Sequence, residues 1–461
     1  MSAGQPSQHI AIVGAGVIGL TTAIALLESS NEKLHRRVTI VSKDVPSLPQ
    51  QQDGSRQRQP GAASQHQPWH ILDPTPAVGT GSVGSSARHP ATFASAWAGG
   101  HHVSDAKTEQ EKRHDQQTFE HMRQLAKLRP WQHAKLQLEA EPLVWVHQTE
   151  YFEALKPDGS HPALGVLDWY PDFKVMPQAA LPPGIAAGCT FSTLDINVPV
   201  YHSWLLLRFL ELGGRLVHRS VSSVAEAIRL ASSPDVRATF QPSFSGYFGP
   251  VDLLILSPGL GARTLKGLED AAVHPHRGQV VLVNAPWLKR ESPFGSSGGG
   301  GGGLGAERQD KNELPGFSIV RRQGGRETYT IPRGDGTVVC GGTRLVDDWD
   351  AAVRPETTRA ILQRCLRVCP QLARPDRTLP HLHGAKVEDV EVLGVNVGLR
   401  PARKGGVRLE RGADVDGTKV VYNYGYGGWG YQASWGAACE AKELVDKVLP
   451  ASHSSLPISK L

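Results

Sequence analysis

The segment from His9 to Val41 constrains the fold more than any other part of the chain. An apolar run enters a Gly14-x-Gly16-x-x-Gly19 turn, the chain continues with helical periodicity, and a second apolar run follows. In this order the glycines make a tight turn, admit a pyrophosphate to the helix N-terminus and let the helix pack on the strand. The segment therefore predicts a Rossmann-like dinucleotide-binding unit. The alternative is an ordinary glycine-rich turn between a strand and a helix.

The position at which such units usually bind a ribose is not acidic in this chain. The second strand ends in Ser42 and Lys43, and we expect one of them to contact the adenosine half of the dinucleotide instead. An acidic residue there would favour NAD, whereas its absence leaves FAD open.

Size and composition narrow the function classes. The 461 residues suffice for two or three domains, and a net charge of +5 without a Lys/Arg run gives no reason to expect nucleic acid as a partner. No apolar segment reaches membrane-spanning length and no secretory signal precedes the glycine turn, so we expect no membrane partner. The five cysteines are scattered, which favours a reducing compartment. Cys365 and Cys369 lie one helical turn apart without a His or Cys cluster, so we expect no metal site.

The segment from Asn396 to Gly436 has the composition of a ligand site. Arg400 stands just before a proline in a strand-like stretch, and a turn rich in Gly, Tyr and Trp leads into a helix predicted from Ser434. Glycine lets the backbone approach a flat ligand closely, and an arginine grips a carboxylate with two parallel hydrogen bonds. These residues predict a flat cofactor beside a carboxylate substrate.

Between its two ends the chain alternates helices and strands. Helical periodicity covers Val200–Gly213, an apolar strand over Val251–Leu256 enters a second glycine-rich turn, and Tyr329–Pro332 with Val338–Cys340 form a predicted hairpin. Parallel β/α units therefore lie at the start, middle and end of the chain, and the strand-rich stretches between them form a second domain. We expect the ligand where the two domains meet.

Two segments of the chain look like insertions. Pro46–Gly84 and Ser292–Lys311 are polar or glycine-rich and lack a hydrophobic period, so we expect both to be mobile.

The final Ser459-Lys460-Leu461 is the tripeptide that directs proteins to peroxisomes. We therefore expect a location in the peroxisomal matrix and binding to the peroxisomal import receptor. A peroxide-forming flavin oxidase fits that compartment.

The motifs together resemble those of the FAD-dependent D-amino-acid oxidase family, which includes D-aspartate oxidases. In chain order they are AIVGAGVIGLTTA, FASAWAGGHH, VDLLILSPGLGA, HPHRGQVVLV, TYTIPR, VCGGTR, VGLRPAR and YNYGYGGWGYQASWG. The resemblance implies an α/β fold in which a Rossmann-like FAD-binding domain is interleaved with a substrate domain built on a mixed β-sheet. The implied division gives 1–101, 190–270 and 395–450 to the FAD-binding domain, 102–189 and 271–394 to the substrate domain, and 451–461 to a targeting tail.

The resemblance also implies the site residues. Arg400 matches the arginine that pairs with the substrate α-carboxylate, Tyr329 matches the tyrosine whose hydroxyl reaches the same carboxylate, and Gly428 matches the backbone carbonyl that accepts from the amine. The residues implied to hold FAD are Gly14, Gly16, Val17, Ile18, Gly19, Ser42, Lys43, Ser95, Ala98, Gly99, Gly100, Gly259, Gly427, Gly428, Trp429, Gly430, Tyr431 and Gln432. The chain departs from the family pattern in the FAD shell, at Ser257-Pro258 and at Ser95-Ala96.

In the implied reaction a hydride moves from the substrate Cα to the flavin, and the protein supplies orientation. The resulting imine is hydrolysed to a 2-oxo acid and ammonia, and O2 reoxidises the flavin to give hydrogen peroxide. The three anchors also select the D enantiomer, because the L form would point its Cα hydrogen away from the flavin.

Arg344 determines which D-amino acid we expect as substrate. An arginine follows Gly-Gly-Thr in D-aspartate oxidases, and His101-His102 resembles a fungal D-aspartate-type motif. A second cation would pair with a side-chain carboxylate, which favours D-aspartate. The alternatives are that Arg344 faces solvent or pairs with Asp347 or Asp348, that the substrates are neutral D-amino acids, or that the enzyme is a glycine- or sarcosine-type amine oxidase. The sequence leaves the oligomeric state, a homodimer included, open.

Overall fold

The computed structural model describes residues 7–30, 34–48, 89–132, 138, 140–239, 247–288, 318–321, 327–374 and 384–450. The predicted insertion over 292–311, nearly all of the one over 46–84 and the C-terminal tripeptide lie outside these ranges. The expectations for those segments therefore stay predictions.

The secondary structure of the described ranges alternates in the predicted way. Its α-helices are α1 (Val17–Glu28), α2 (Glu109–Leu128), α3 (Val198–Glu211), α4 (Val224–Ala231), α5 (Pro355–Val368) and α6 (Gly430–Val448). Its strands are β1 (Ser7–Val13), β2 (His35–Ser42), β3 (Leu143–Phe152), β4 (Lys174–Val175), β5 (Ala187–Ile196), β6 (Arg215–His218), β7 (Leu253–Leu256), β8 (Val273–Asn284), β9 (Ser318–Arg321), β10 (Thr328–Pro332), β11 (Thr337–Gly341), β12 (Leu345–Val346), β13 (Val392–Arg403), β14 (Arg408–Arg411) and β15 (Lys419–Tyr424). Among the described residues, no helix combines the length and the apolar character that a bilayer-spanning segment requires.

The first sheet holds the glycine-rich turn predicted from the sequence. Its strand order is β14-β15-β7-β1-β2-β6, and every neighbouring pair except β14 and β15 is parallel. The central strand β1 is buried from His9 to Val13, as expected for a parallel strand whose two faces are both covered. Helix α1 covers one face together with α3 and α6, against which it packs.

The second sheet is mixed and belongs to the strand-rich stretches. Its order is β12-β8-β11-β10-β9-β3-β5-β4, and β13 pairs with β8 over nearly its whole length. The contact between β3 and β9 is parallel, and the remaining pairs are antiparallel. Helix α5 packs its apolar stripe on β8, β10 and β11. The predicted α/β class, with one parallel and one mixed sheet, is confirmed.

Two strands cross predicted domain limits, and one helix begins earlier than predicted. Strands β5 and β13 pair with β3 and β8 as far as Ile196 and Arg403, across the predicted limits at 190 and 395, and the division into domains stays a prediction. Helix α6 begins at Gly430 rather than Ser434, because the Ala433 N–H already donates to the Trp429 carbonyl at 3.0 Å. The glycines of the preceding turn therefore do not delay the helix.

Candidate active site

A cavity of about 970 Å³ lies where the two sheets meet. Its lining comes from the turns that follow β1, β2 and β7 and from side chains of β8, β10 and β13. All of the predicted site residues line it except His102. We call the part around the first glycine turn the cofactor end and the part around Arg400 the substrate end, after the roles predicted from the sequence.

The glycine turn after β1 is shaped for a close backbone approach. Gly14 has φ +106°, and a Cβ on it would collide with the carbonyl oxygen of Ser257 at the end of β7. Gly16 precedes α1 without a side-chain cap, and the first turn of α1 carries no acidic residue. The positive end of the helix dipole therefore faces the cavity unopposed by a carboxylate, which suits the anionic diphosphate of a dinucleotide.

Two hydroxyl groups fix this turn in place. Ser42 at the end of β2 accepts a hydrogen bond from the Ala15 N–H at 3.1 Å and donates to the Asp44 carbonyl at 2.6 Å. Ser95 accepts one from the Val17 N–H at 3.1 Å. Lys43 lines the cavity beside them, with Asp44 at 3.7 Å from its Nζ. The prediction that Ser42 or Lys43 contacts the adenosine half stays a prediction.

Two further segments wall the middle of the cavity. The stretch from Ser95 to Gly100 and the stretch from Gly427 to Gln432 both line it, and the Tyr431 hydroxyl joins them by donating to the Ser95 carbonyl at 2.9 Å. Gly259 lines the cavity from the turn after β7. Two buried polar atoms of the lining, Gln432 Nε2 and Ser257 Oγ, find no hydrogen-bond partner in the described structure. Such orphaned groups fit a bound polar cofactor.

Arg400 occupies the substrate end with its charge uncompensated. It pairs across the mixed sheet with His276, and its guanidinium lies over Gly278, where any Cβ would collide with it. Nη1 donates to the Thr343 carbonyl at 2.9 Å, and no carboxylate of the described residues lies within ion-pair distance. A guanidinium carries five N–H donors, so most of the fork remains to bind an anion. Gly428 is adjacent, since a Cβ built on it would lie 3.4 Å from the Arg400 Cδ.

Tyr329 stands beside Arg400 as a neutral hydrogen-bond donor. It is buried on β10 and packs over Gly341, its partner across the strand pair. Burial raises the pKa of Tyr329 to about 12, although the charge of Arg400 acts in the opposite direction. The phenol therefore keeps its proton at neutral pH, and its hydroxyl suits a carboxylate better than a phenolate would.

Arg344 also lines the substrate end, but it has a partner. Its Nε lies 2.7 Å from the Oε1 of Glu327, which lines the cavity as well. In this structure Arg344 pairs with Glu327 rather than with Asp347 or Asp348, and its side chain remains 34% exposed. The partner was missed because Glu327 lies seventeen positions upstream in the sequence. Strand alternation gave a signal, because Glu327 precedes the site residue Tyr329 by two positions.

The two adjacent histidines have different environments. His101 lines the cavity, and its Nδ1 hydrogen-bonds the buried carboxylate of Asp195, whose pKa burial raises. His102 lies outside the cavity among Phe119, Trp169 and Tyr170, where its Nδ1 bonds the Tyr170 hydroxyl at 2.8 Å. Burial lowers the pKa of His102 to about 3, so it is a neutral core residue. The structure therefore does not bring His102 to the substrate end, because neighbouring side chains of an extended stretch point to opposite sides.

Sequence reasoning missed other lining residues besides Glu327. Among them are three half-buried or exposed side chains for which the sequence carries no local motif: Asp105, Arg263 and Trp349. Trp349 is 47% exposed and lies just after β12. A large exposed apolar side chain at a cavity rim is a signal only once the fold is known.

The fold and the cavity define a class of protein: an α/β protein with a glycine turn shaped for a dinucleotide at one end of a cavity and, at the other end, an arginine without a carboxylate partner among the described residues. The model of the DAO family, described as FAD dependent oxidoreductase, matches residues 9–444. The chain belongs to this family, and its cofactor is FAD. The collision-prone glycine cradle and the orphaned polar atoms of the lining fit that cofactor.

Curated relatives span the whole chain. A D-aspartate oxidase of Cryptococcus neoformans var. grubii is 31% identical, with 96% of this chain and 97% of the relative covered. A D-aspartate oxidase of Talaromyces thermophilus is 28% identical, over 97% and 96% of the two chains. A D-amino-acid oxidase of Fusarium vanettenii is 27% identical, over 98% and 100%. The predicted family resemblance is confirmed.

Solved structures share the fold at low identity. Glycine oxidase from Bacillus cereus ATCC 14579 superposes with a TM-score of 0.57 at 16% identity, covering 97% of this chain and 99% of its own. L-proline dehydrogenase from P. horikoshii also gives a TM-score of 0.57, at 12% identity, covering 96% of this chain and 94% of its own. These structures support the architecture and carry no argument about the substrate.

Proposed function

We propose that the protein oxidises D-amino acids to 2-oxo acids, with ammonia and hydrogen peroxide as the other products. The observation that carries the proposal is the Arg400 guanidinium, which lines the cavity beside Tyr329 with no carboxylate partner among the described residues. An uncompensated cation in a half-buried cavity is costly unless an anion completes it. Relatives named D-aspartate oxidase and D-amino-acid oxidase support the same substrate class.

The proposed roles follow from the positions of three residues. Arg400 binds the α-carboxylate with two parallel hydrogen bonds, and Tyr329 donates a third to the same group. The carbonyl of Gly428 accepts from the substrate amine. FAD, when bound, supplies the oxidant that takes the hydride from Cα, and O2 is the final electron acceptor. With the carboxylate and the amine held at fixed positions, the two enantiomers exchange the places of the Cα hydrogen and the side chain, so that only the D form presents its hydrogen for the transfer.

We further propose that acidic substrates, D-aspartate first, are preferred. Arg344 places a second guanidinium at the substrate end, and His101 adds a polar ring to the lining of the same cavity. A side-chain carboxylate would find a charged partner there, whereas a methyl group would not. The rival is a preference for neutral D-amino acids such as D-alanine. It is favoured by one observation: Glu327 already neutralises Arg344.

Substrate turnover decides between these two preferences. The holoenzyme is mixed anaerobically with D-aspartate, D-alanine or glycine, and bleaching of the oxidised flavin is recorded, followed by peroxide release in air. We expect bleaching with D-aspartate at the lowest concentration. Arg344→Leu should lower kcat/KM for D-aspartate by about a hundredfold, the cost of leaving one charge of a close pair uncompensated, and should lower that for D-alanine much less.

Three results would contradict parts of the proposal. An unchanged preference in Arg344→Leu discards the side-chain role of Arg344. Bleaching with glycine alone moves the protein to the glycine-type amine oxidases. If neither D-aspartate nor D-alanine bleaches the flavin, D-amino-acid oxidation itself is wrong.

A further inference from the structure

The cation proposed to select acidic substrates is already paired inside the cavity. Arg344 Nε lies 2.7 Å from Glu327 Oε1, and the two side chains are 34% and 23% exposed. We propose that Glu327 is a specificity-determining residue, an internal competitor of the substrate side-chain carboxylate for Arg344. The inference rests on the proposed oxidation of D-amino acids and goes beyond it, because it assigns the breadth of substrate choice to a carboxylate of the protein.

The backbone holds Glu327 at this position. Its carbonyl accepts from the Gly342 N–H at 2.6 Å and from Arg364 Nη2 at 3.4 Å. Arg364 also donates to the Gly342 carbonyl at 3.0 Å, so one guanidinium joins the stretch before β10, which carries Glu327, to the stretch between β11 and β12, which carries Arg344. The carboxylate therefore sits on a fixed support beside Arg344, two residues from the proposed anchor Tyr329.

The geometry leaves room for a second anion on Arg344. The contact with Glu327 uses Nε, and a guanidinium has further N–H donors on its Nη atoms. A substrate carboxylate arriving there meets the attraction of Arg344 and the repulsion of Glu327 together. Repulsion between like charges within one cavity grows as the substrate displaces water, because the local dielectric constant falls.

A neutral substrate meets the opposite situation. Its apolar side chain leaves the pair between Arg344 and Glu327 intact, so no lone charge is buried when the cavity closes around it. Without Glu327 the same side chain would cover an uncompensated guanidinium. Glu327 thus penalises acidic substrates and protects neutral ones, and both effects lower the selectivity that Arg344 alone would give.

The test is the variant Glu327→Gln, which keeps the shape and removes the charge. We expect kcat/KM for D-aspartate to rise and that for D-alanine to fall, so that their ratio increases at least about tenfold, mostly through KM. The matched control is Glu388→Gln. That residue pairs with Arg359 at 3.2 Å on the surface, where the two side chains are 65% and 63% exposed. The control should leave the ratio unchanged, which excludes an effect of net charge alone.

A binding measurement supports the kinetic one without turnover. Succinate is aspartate without its amine, and propionate is alanine without its amine, so the pair reports the second carboxylate alone. Titration of the oxidised holoenzyme, followed by the flavin absorbance, gives both dissociation constants. Glu327→Gln should tighten succinate relative to propionate by a similar factor.

The outcomes separate this inference from the proposed function. If the wild type oxidises D-aspartate or D-alanine but Glu327→Gln changes neither ratio by more than about twofold at unchanged melting temperature, Glu327 is not a competitor. If neither D-amino acid is oxidised, the proposed function fails, and the ratio of succinate to propionate binding alone decides the role of Glu327. Glu327→Gln holoenzyme that melts like the wild type excludes misfolding as the cause of any change.

Discussion

The two ends of the cavity are built from different materials. The cofactor end is shaped by backbone: Gly14 at φ +106° and the uncapped start of α1 form a surface on which a side chain would be an obstacle. The substrate end is shaped by charge, from Arg400, Arg344 and Glu327 on three separate stretches of the mixed sheet and its loops.

This difference determines what a substitution at each end of the cavity changes. A backbone cradle depends on the absence of side-chain atoms, so a substitution there blocks the cofactor for every substrate. A charged pocket depends on pairings, so a substitution there changes which substrate is favoured. Selectivity can therefore change at the substrate end while the cofactor end stays as it is.

The largest expected effect comes from Arg400→Leu, which removes the charge at the centre of the substrate end. Turnover should fall by roughly a hundredfold to a thousandfold on every D-amino acid, because a desolvated carboxylate then loses its partner. The flavin spectrum should be retained, since the cofactor end is untouched. Steady-state peroxide assays with D-aspartate and D-alanine check both statements.

The control for this variant is Arg359→Leu, on a surface pair whose arginine is 63% exposed. It should behave like the wild type. An Arg400→Leu enzyme that still turns over D-alanine would contradict the anchor role of Arg400. A variant that is purified without flavin would show that the substrate end also affects FAD binding.

A smaller effect is expected from Gly14→Ala, which tests the cofactor end. The new Cβ would collide with the Ser257 carbonyl, and an alanine at positive φ costs about 1–3 kcal/mol. Because the collision would displace the turn that is expected to hold the diphosphate, the dissociation constant of FAD should rise by about tenfold to a hundredfold, with the ratio of D-aspartate to D-alanine turnover unchanged at saturating FAD.

Gly165→Ala separates the collision from the backbone strain. Gly165 has φ +81°, and nothing lies within 4 Å of its Cβ position. Its substitution should cost stability without weakening FAD. Equal FAD affinity in Gly14→Ala and the wild type would show that the turn after β1 does not set cofactor binding.

The same contrast explains what the sequence allowed us to predict. Gly14, Gly16 and Gly19 fall within six residues between two apolar runs, so local physics alone predicts their turn and the parallel unit around it. The pair of Arg344 and Glu327 depends on how β10 and the stretch before β12 are set side by side, and no local pattern encodes that placement. The predicted start of α6 at Ser434 is too late for a local reason. Gly430, where the helix begins, belongs to a run of glycines and aromatic residues that is typical of a turn.

The smallest expected effect tests where the substrate end stops. His102 follows His101 directly, yet it lies in the aromatic core with a pKa lowered to about 3, first by burial and then by His101. A histidine in the unfolded chain has a pKa near 6.5. Below that pH, His102 therefore binds a proton in the unfolded chain but not in the folded one. His102 therefore contributes stability above pH 6.5 that is lost as the pH falls toward 3. By pH 5.5 the loss amounts to about 1 kcal/mol.

His102→Phe should remove this dependence and little else. Urea unfolding of the holoenzyme at pH 8 and pH 5.5 should show a smaller drop in the free energy of unfolding for the variant, by about 1 kcal/mol. The pH 8 measurement is the control for packing changes, because His102 is neutral at that pH in both the folded and the unfolded chain. The ratio of D-aspartate to D-alanine turnover should stay within about twofold of the wild type, as for a residue outside the cavity. A tenfold change in that ratio would contradict this position of His102. It would mean that His102 takes part in substrate selection together with His101 and Arg344.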